Sequence, residues 1–142
     1  MENKIYLTFQ QGELDAVLMY KSLAEGACTA QEKETLLRLG AMEGRHAGIL
    51  RGITGVTDLK PRDTLAKTIM TAEGVVGRRA LYLFMAAGET VLGAAYKPLV
   101  KKHGELAQVE KEEYEHSRAL IGMMKALGDA ANRLPLYKLR RA

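Results

Sequence analysis

The pattern Glu-x-x-His occurs twice in this chain, each time in the middle of an apolar helical stripe. Glu113 and His116 lie between Val109 and Leu120, and apolar residues continue the same steps of three and four on both sides. Such steps are typical of a helix face that packs against other helices. A buried charge costs roughly several kcal/mol unless it is paired, hydrogen-bonded or bound to a metal ion. The pattern therefore predicts packed helices that carry polar groups for a purpose other than packing.

The same anomaly occurs in three further helical stripes. Glu43 and His46 interrupt the stripe formed by leucines of the second predicted helix, and two other predicted helices carry one inward carboxylate each, Glu13 and Glu89. Four helices with this inventory are typical of bundles that bind two iron or two manganese ions. The chain is therefore predicted to be all-α, with six candidate metal ligands: Glu13, Glu43, His46, Glu89, Glu113 and His116.

The spacing in the first half of the chain places two of these carboxylates opposite each other. Glu13 lies 15 residues before Cys28, and Glu43 lies 15 residues after it. At about 1.5 Å of rise per residue, both reach the same level, about 22 Å from a turn near Cys28. We therefore expect the first two helices to form an antiparallel hairpin with Glu13 facing Glu43.

Turn and cap signals divide the chain into two hairpins joined by a long crossover. Thr29 is a candidate N-cap with Glu32 as its capping-box partner, and glycine and proline interrupt the pattern between Gly52 and Pro61. The predicted helices cover residues 3–27, 29–51, a short segment from about 63 to 74, 78–103 and 105–128. Residues 1–128 are predicted to form one four-helix bundle domain, and residues 129–142 a peripheral basic tail.

Composition narrows the classes of protein. The single cysteine, Cys28, excludes an internal disulfide and a cysteine-based metal site, and favours a cytoplasmic location. No run of about 18 apolar residues is present, so no membrane span is expected. The net charge of +4 is interpreted as an ordinary solvated surface, and nucleic-acid binding is not expected.

An internal repeat gives the six residues different expected roles. Glu13-x6-Tyr20 followed by Glu43-x2-His46 is echoed by Glu89-x6-Tyr96 followed by Glu113-x2-His116. Such a duplication predicts a pseudo-two-fold axis through the site. Two divalent ions balance four carboxylates, with Glu43 and Glu113 as bridging ligands and Glu13 and Glu89 as terminal ones. Tyr20 and Tyr96 are expected to support the terminal carboxylates by hydrogen bonding.

These residues resemble those of a rubrerythrin-like member of the ferritin-like superfamily, over about residues 5–127. The connection and the Gly88-Glu89 pair are similar to the rubrerythrin-like domain fused to membrane proteins of the vacuolar-iron-transporter type. The resemblance implies a ferritin-like fold, a non-haem di-iron centre that reacts with hydrogen peroxide or dioxygen, and a homodimer or higher homo-oligomer. The residues that carry it are Glu13, Tyr20, Glu43, His46, Ile53, Thr54, Gly55, Pro61, Glu89, Tyr96, Glu113 and His116.

The chain departs from that family at two points. It lacks the paired Cys-x-x-Cys of a rubredoxin domain, so an electron donor is not specified, and Ala86 and Leu92 stand where an additional carboxylate is expected. The leading expectation is a di-iron, or manganese-containing, oxidoreductase. The alternatives are a ferroxidase or a metal carrier or sensor without peroxide turnover, a bundle without metal, and a hydroxylase, for which the sequence indicates no substrate channel.

Overall fold

The computed structural model describes residues 2–132, and all its regular elements are helices. The all-α prediction is thereby confirmed for this part of the chain. The last helix continues past the predicted end near Gly128, and the rest of the predicted basic tail, residues 133–142, lies outside the described residues. The five helices are α1 (Glu2–Glu25), α2 (Ala30–Thr54), α3 (Thr64–Val76), α4 (Arg78–Val100) and α5 (Leu106–Asn132).

The first hairpin joins α1 and α2 through a capped turn. Thr29 is the N-cap of α2, and its side chain accepts a hydrogen bond from the backbone N–H of Glu32. The Glu32 carboxylate reaches back to the N–H of Cys28, at 3.1 Å. At the other end of the hairpin, the Thr54 hydroxyl donates to the side chain of Gln10. The start of α1 therefore lies beside the end of α2, and the predicted cap and antiparallel pairing are confirmed.

The second hairpin joins α4 and α5, which approach closely at a glycine. A Cβ placed on Gly93 would lie only 2.9 Å from the ring of Tyr114. The Ser117 hydroxyl also donates to the backbone carbonyl of Ala86, across the same interface. A side chain at position 93 would have to push the tyrosine ring aside, so the small residue sets the distance between the two helices.

The crossover is fixed to α1 along its length. Gly55 ends α2 in the left-handed conformation, with φ 72°. Asp15 then accepts three hydrogen bonds from Arg62, one from its backbone N–H and two from its guanidinium. The side chain of Gln10 also donates to the carbonyl of Val56. These contacts anchor the segment before α3 to α1, and α3 itself packs against α1 and α4.

Arg78 ties the end of the crossover to the turn of the first hairpin. Its guanidinium donates to Glu73, to Glu32 and to the backbone carbonyl of Leu23. Tyr82 donates a 2.5 Å hydrogen bond to the same oxygen of Glu32. The Arg78 side chain is only 8% exposed, so this network joins both hairpins through buried charges.

Two apolar clusters lie on either side of a polar layer. One surrounds the turn of the first hairpin and includes Leu23, Leu39 and Leu120, and the other includes Leu50 and Leu106 near the opposite end. The inward carboxylates and histidines lie between them, at the middle of the long helices. Over residues 2–132, no helix is long and apolar enough to cross a membrane.

Candidate metal centre

The structure brings all six predicted ligand residues together in the interior. Their ligand atoms form two overlapping groups, and within each group the atoms lie within 4.8 Å of one another. Glu43 and Glu113 belong to both groups. The first group is completed by Glu13 and His46, and the second by Glu89 and His116. Each of the four long helices contributes to this cluster, because each carries its polar residue at the same height.

Each histidine lies closest to the shared carboxylate of the other hairpin. Nδ1 of His46 is 2.9 Å from Oε1 of Glu113, and Nδ1 of His116 is 2.7 Å from Oε1 of Glu43. The two imidazole rings are stacked, with their centroids 5.5 Å apart. The Nδ1 atoms therefore face the two shared carboxylates.

Several of these close atoms make no well-formed hydrogen bond. Within residues 2–132, Oε1 of Glu43, both carboxylate oxygens of Glu113 and both ring nitrogens of His116 are buried without a hydrogen-bond partner. Buried polar atoms are normally satisfied, so a cluster of exceptions needs an explanation. Atoms that approach each other without bonding are what a ligand set looks like when it converges on ions. Carboxylate oxygen and imidazole nitrogen donors of this kind fit a divalent metal ion.

Burial and mutual repulsion shift the acidity of the shared carboxyls. Burial, together with the negative charge of Glu13, raises the pKa of Glu43 well above its ordinary value. Burial and the adjacent Glu89 raise the pKa of Glu113 to about 12. Burial alone raises the pKa of Glu13 too, but hydrogen bonds from Glu43, His46 and Tyr96 outweigh it and leave that pKa lowered. Without metal, protons bound to the shared carboxyls therefore neutralise part of the negative charge of the cluster.

The neutral form of His116 is favoured, as a metal ligand requires. Burial lowers the pKa of His116, and the positive charge that His46 can carry acts in the same direction, against the attraction of Glu89. A neutral imidazole keeps a lone pair on the nitrogen that is not protonated. His116 is thus ready to donate to a cation without first losing a proton.

Tyr20 and Tyr96 bond to the carboxylates of the opposite hairpin. Tyr20 donates to Glu89 at 2.5 Å, and Tyr96 donates to Glu13 at 2.7 Å. Both side chains are fully buried. Neither tyrosine reaches the carboxylate of its own helix, because seven residues of helix separate the two by about 10 Å. The exchanged hydrogen bonds hold Glu13 and Glu89 in position and join the two hairpins across the site.

Sequence reasoning missed Glu112, which lies behind one histidine. Oε1 of Glu112 is 3.5 Å from Nε2 of His46, and its side chain is only 8% exposed. The residue escaped notice because it is one position off the apolar stripe. Met42 stands at the corresponding place before Glu43, so the other histidine has no such carboxylate from the repeat. The available signal was the pair Glu112-Glu113, two carboxylates in succession beside a buried face.

Glu112→Gln is expected to weaken binding of one of two metal ions. A carboxylate behind a ligating histidine fixes its ring and raises its basicity, and its loss typically costs about tenfold to a hundredfold in affinity. Competition with a chelator of known affinity would measure both binding steps. Glu115→Gln, on the same helix but outside both groups, is the matched control. Equal weakening of both steps, or of neither, would contradict this role for Glu112.

The metal-free protein is expected to lose stability as the pH rises from 7 to 9. The unfolded chain releases carboxyl protons near the ordinary pKa of 4.5, whereas folded Glu113, whose pKa is raised to about 12, retains its proton across this window. The raised pKa of Glu43 acts in the same direction. The unfolding free energy then falls by about 1.4 kcal/mol per pH unit for each retained proton. The lowered pKa values of Glu13 and His116 have the opposite sign but act below this window.

Urea unfolding of chelator-treated protein at pH 7, 8 and 9 measures this slope. A flat or rising unfolding free energy would show that the shared carboxyls are ionised in the folded state. Saturating metal should remove the slope, because bound ions replace the protons.

Comparisons with known proteins leave the geometry as the main guide to function. No protein-family model, curated protein or solved structure matches this chain. The resemblance to rubrerythrin-like proteins consequently depends on the motif residues themselves. Any function must be argued from the cluster and its surroundings.

Proposed function

We propose that the chain is a ferritin-like four-helix bundle that holds two iron ions, or manganese in their place, and reduces hydrogen peroxide or dioxygen in the manner of rubrerythrin-like proteins. The observation that carries this proposal is the pair of overlapping ligand groups that share Glu43 and Glu113. Two groups with two common carboxylates fit a dinuclear centre better than a single ion.

Charge supports two ions rather than one. The cluster contains four carboxylates, all of them buried. Two divalent cations neutralise all four carboxylates in their ionised, metal-binding form, whereas one ion would neutralise two and leave the other two to be protonated. Two ferrous ions held there would supply the two electrons that, with two protons from solvent, reduce one molecule of hydrogen peroxide to two molecules of water.

The residues around the site would orient the ligands and hold them in place. Tyr20 and Tyr96 each hold one terminal carboxylate by a hydrogen bond from the opposite hairpin. Burial and the negative charge of Glu89 raise the pKa of Tyr20 well above its ordinary value. Burial and the negative charge of Glu13 raise the pKa of Tyr96 in the same way. Both phenols therefore stay protonated at neutral pH and continue to donate. The apolar clusters above and below the site close it at its two ends.

A second candidate is a ferroxidase or metal carrier without peroxide turnover. Ala86 is buried and cannot ligate, and Leu92 is likewise apolar. These are the positions where an additional carboxylate would be expected for a rubrerythrin-type peroxidase cycle. This candidate requires the same two-ion site and differs only in how the reduced centre reacts.

The decisive experiment mixes anaerobic, iron-loaded protein with hydrogen peroxide or with dioxygen. Elemental analysis should give two iron atoms per chain, and the optical spectrum should change with one equivalent of peroxide. Rapid stoichiometric oxidation by peroxide supports the first candidate, and rapid oxidation by dioxygen alone supports the ferroxidase. A His46→Ala, His116→Ala double variant is the control. Metal content well below one atom per chain in the parent protein would refute both candidates.

A further inference from the structure

A cavity of about 500 Å³ opens beside the metal centre, between α1 and α4 and under α3. Most of its lining is apolar and includes Phe9 from α1, Leu65 from α3 and Phe84, Met85 and Leu92 from α4. Its volume lies in the range of pockets that bind small molecules, about 300 to 1,000 Å³. Hydrogen peroxide and dioxygen contain only a few atoms each and do not require a cavity of this size.

The floor of the cavity is the metal centre itself. Glu13, Glu43 and Glu89 contribute to its lining, so an occupant would lie beside both terminal ligands and one shared ligand. Among the described residues that line the cavity, none carries a positive charge. With two divalent ions bound, the carboxylates of the centre are neutralised. The lining therefore favours an uncharged, largely hydrocarbon molecule and offers no partner for an anion.

The backbone keeps this space open. Within residues 2–132, no Cα atom of α1 lies within 8 Å of one in α4. The two helices are bridged by α3 and by the hydrogen bonds of Tyr20 and Tyr96. Thus α1 and α4 leave a gap that long side chains bridge, including Tyr20, Tyr96 and Arg78. The ring of Phe9 also packs on that of Tyr96.

Two glycines related by the internal repeat border the gap. Gly12 precedes Glu13 and Gly88 precedes Glu89, and both line the cavity. A Cβ added at either position would meet no described atom within 4 Å. A glycine inside a helix costs about 1 kcal/mol relative to alanine. Packing does not demand these glycines, since there is room for a side chain, so their effect is to leave the cavity clear.

The mouth of the cavity exposes apolar surface. The Phe84 side chain is 71% exposed although it contributes to the lining. An occupant that reaches the mouth would cover part of this apolar surface.

We propose that this cavity binds a small, uncharged, largely hydrocarbon molecule and presents it to the metal centre. Its role as a substrate pocket rests on the proposed function, whereas binding itself does not require metal. The occupant class follows from the apolar walls, the lack of a cationic lining residue and the position of the three carboxylates at the floor.

Methyl NMR of protein labelled at methionine tests the proposal directly. Met19 and Met85 line this cavity, whereas Met123 lines a separate one near the turn of the first hairpin. The probe is 1-naphthol, titrated into metal-free protein and into protein loaded with zinc as a diamagnetic stand-in. We expect saturable shifts of the Met19 and Met85 methyl signals and none for Met123. Naphthalene-1-sulfonate, which has the same ring system and a negative charge, should bind at least about tenfold more weakly.

Substitutions that place side chains in the cavity provide a second test, with a matched control at a glycine outside it. A Gly12→Leu, Gly88→Leu double variant should weaken 1-naphthol binding at least about tenfold, and Gly12→Ala with Gly88→Ala should weaken it less while raising the melting temperature. Gly52→Ala is the control, because Gly52 lies on α2 with equally open space around it and outside the cavity.

Several outcomes would overturn the proposal. The Met19 and Met85 signals would not shift on addition of 1-naphthol, the Gly12→Leu, Gly88→Leu variant would bind it as tightly as the parent, or naphthalene-1-sulfonate would bind as tightly as 1-naphthol. Shifts that depend on protein concentration alone would also overturn it, because they would indicate a second copy of the chain. Elemental analysis of the same samples reports metal binding separately. If the protein binds 1-naphthol but no metal, the proposed function is refuted and the proposed pocket is retained. If it binds metal but no 1-naphthol, only the pocket is refuted.

Discussion

Replacing Glu43 and Glu113 together by glutamine is expected to abolish binding of both metal ions and to stabilise the metal-free protein. Both residues belong to both ligand groups, so neither ion keeps a complete ligand set. Without metal, the folded protein must retain protons on carboxyls that the unfolded chain ionises above its ordinary pKa of 4.5. At pH 7, each retained proton costs about 3 kcal/mol, and glutamine removes that cost while keeping the shape.

Opposite changes in metal content and stability distinguish a binding site from a structural ion-pair cluster. The metal content measured by elemental analysis should fall from two atoms per chain to nearly none. Urea unfolding of chelator-treated protein should show a higher unfolding free energy for the variant, with little dependence on pH from 7 to 9. Glu105→Gln changes an exposed carboxylate and should alter neither quantity. A double variant that is less stable than its metal-free parent would mean that the shared carboxyls hold the fold together.

Replacing Arg78 by methionine is expected to lower the unfolding free energy by about 3 to 5 kcal/mol. The substitution leaves the Glu32 carboxylate, whose side chain is 5% exposed, without its cation. Glu73 and the carbonyl of Leu23 lose their donors as well. Breaking a buried ion pair by removing one partner is costly because the remaining charge has no water to replace it. Urea unfolding at pH 7 measures the change.

Two comparisons make the Arg78 result interpretable. Adding Glu32→Gln to the Arg78→Met variant should recover part of the loss, because the stranded charge is removed. Arg62→Met is the exposed counterpart at the other end of the crossover. Its side chain is 65% exposed, and Asp15 keeps hydrogen bonds from the Arg62 backbone and from Gln11. A loss of about 1 kcal/mol or less is therefore expected there. Equal losses at both arginines would contradict the assignment of Arg78 as the main clamp.

The helices and the candidate ligands were predictable because helical period and height are properties of the chain itself. Steps of three and four residues place Glu113 and His116 on one face, and equal distances from the turn place Glu13 level with Glu43. The cap at Thr29 and the crossover likewise follow from local sequence signals. The face and the height of each polar residue depend on helical rise, on rotation per residue and on the position of the turn. The internal repeat shows the same pattern in both halves of the chain.

The contacts that each polar side chain makes with other helices were not predictable in the same way. The exchange of hydrogen bonds by Tyr20 and Tyr96, and the closeness of each histidine to the other hairpin's shared carboxylate, depend on how the hairpins face each other. Glu112 comes near His46 only because α5 is rotated enough to bury a residue beside its main stripe. Relative rotation and spacing of helices are set by packing of many side chains together.

The order of residues predicts which faces turn inward and at what height their carboxylates and imidazoles lie, because both follow from the geometry of one helix. The gap between α1 and α4, the cavity at the candidate metal centre and the pairs that bridge it arise only when the helices pack together. The reason is that distances between helices come from the way side chains of different segments fill space, and no local pattern encodes that sum.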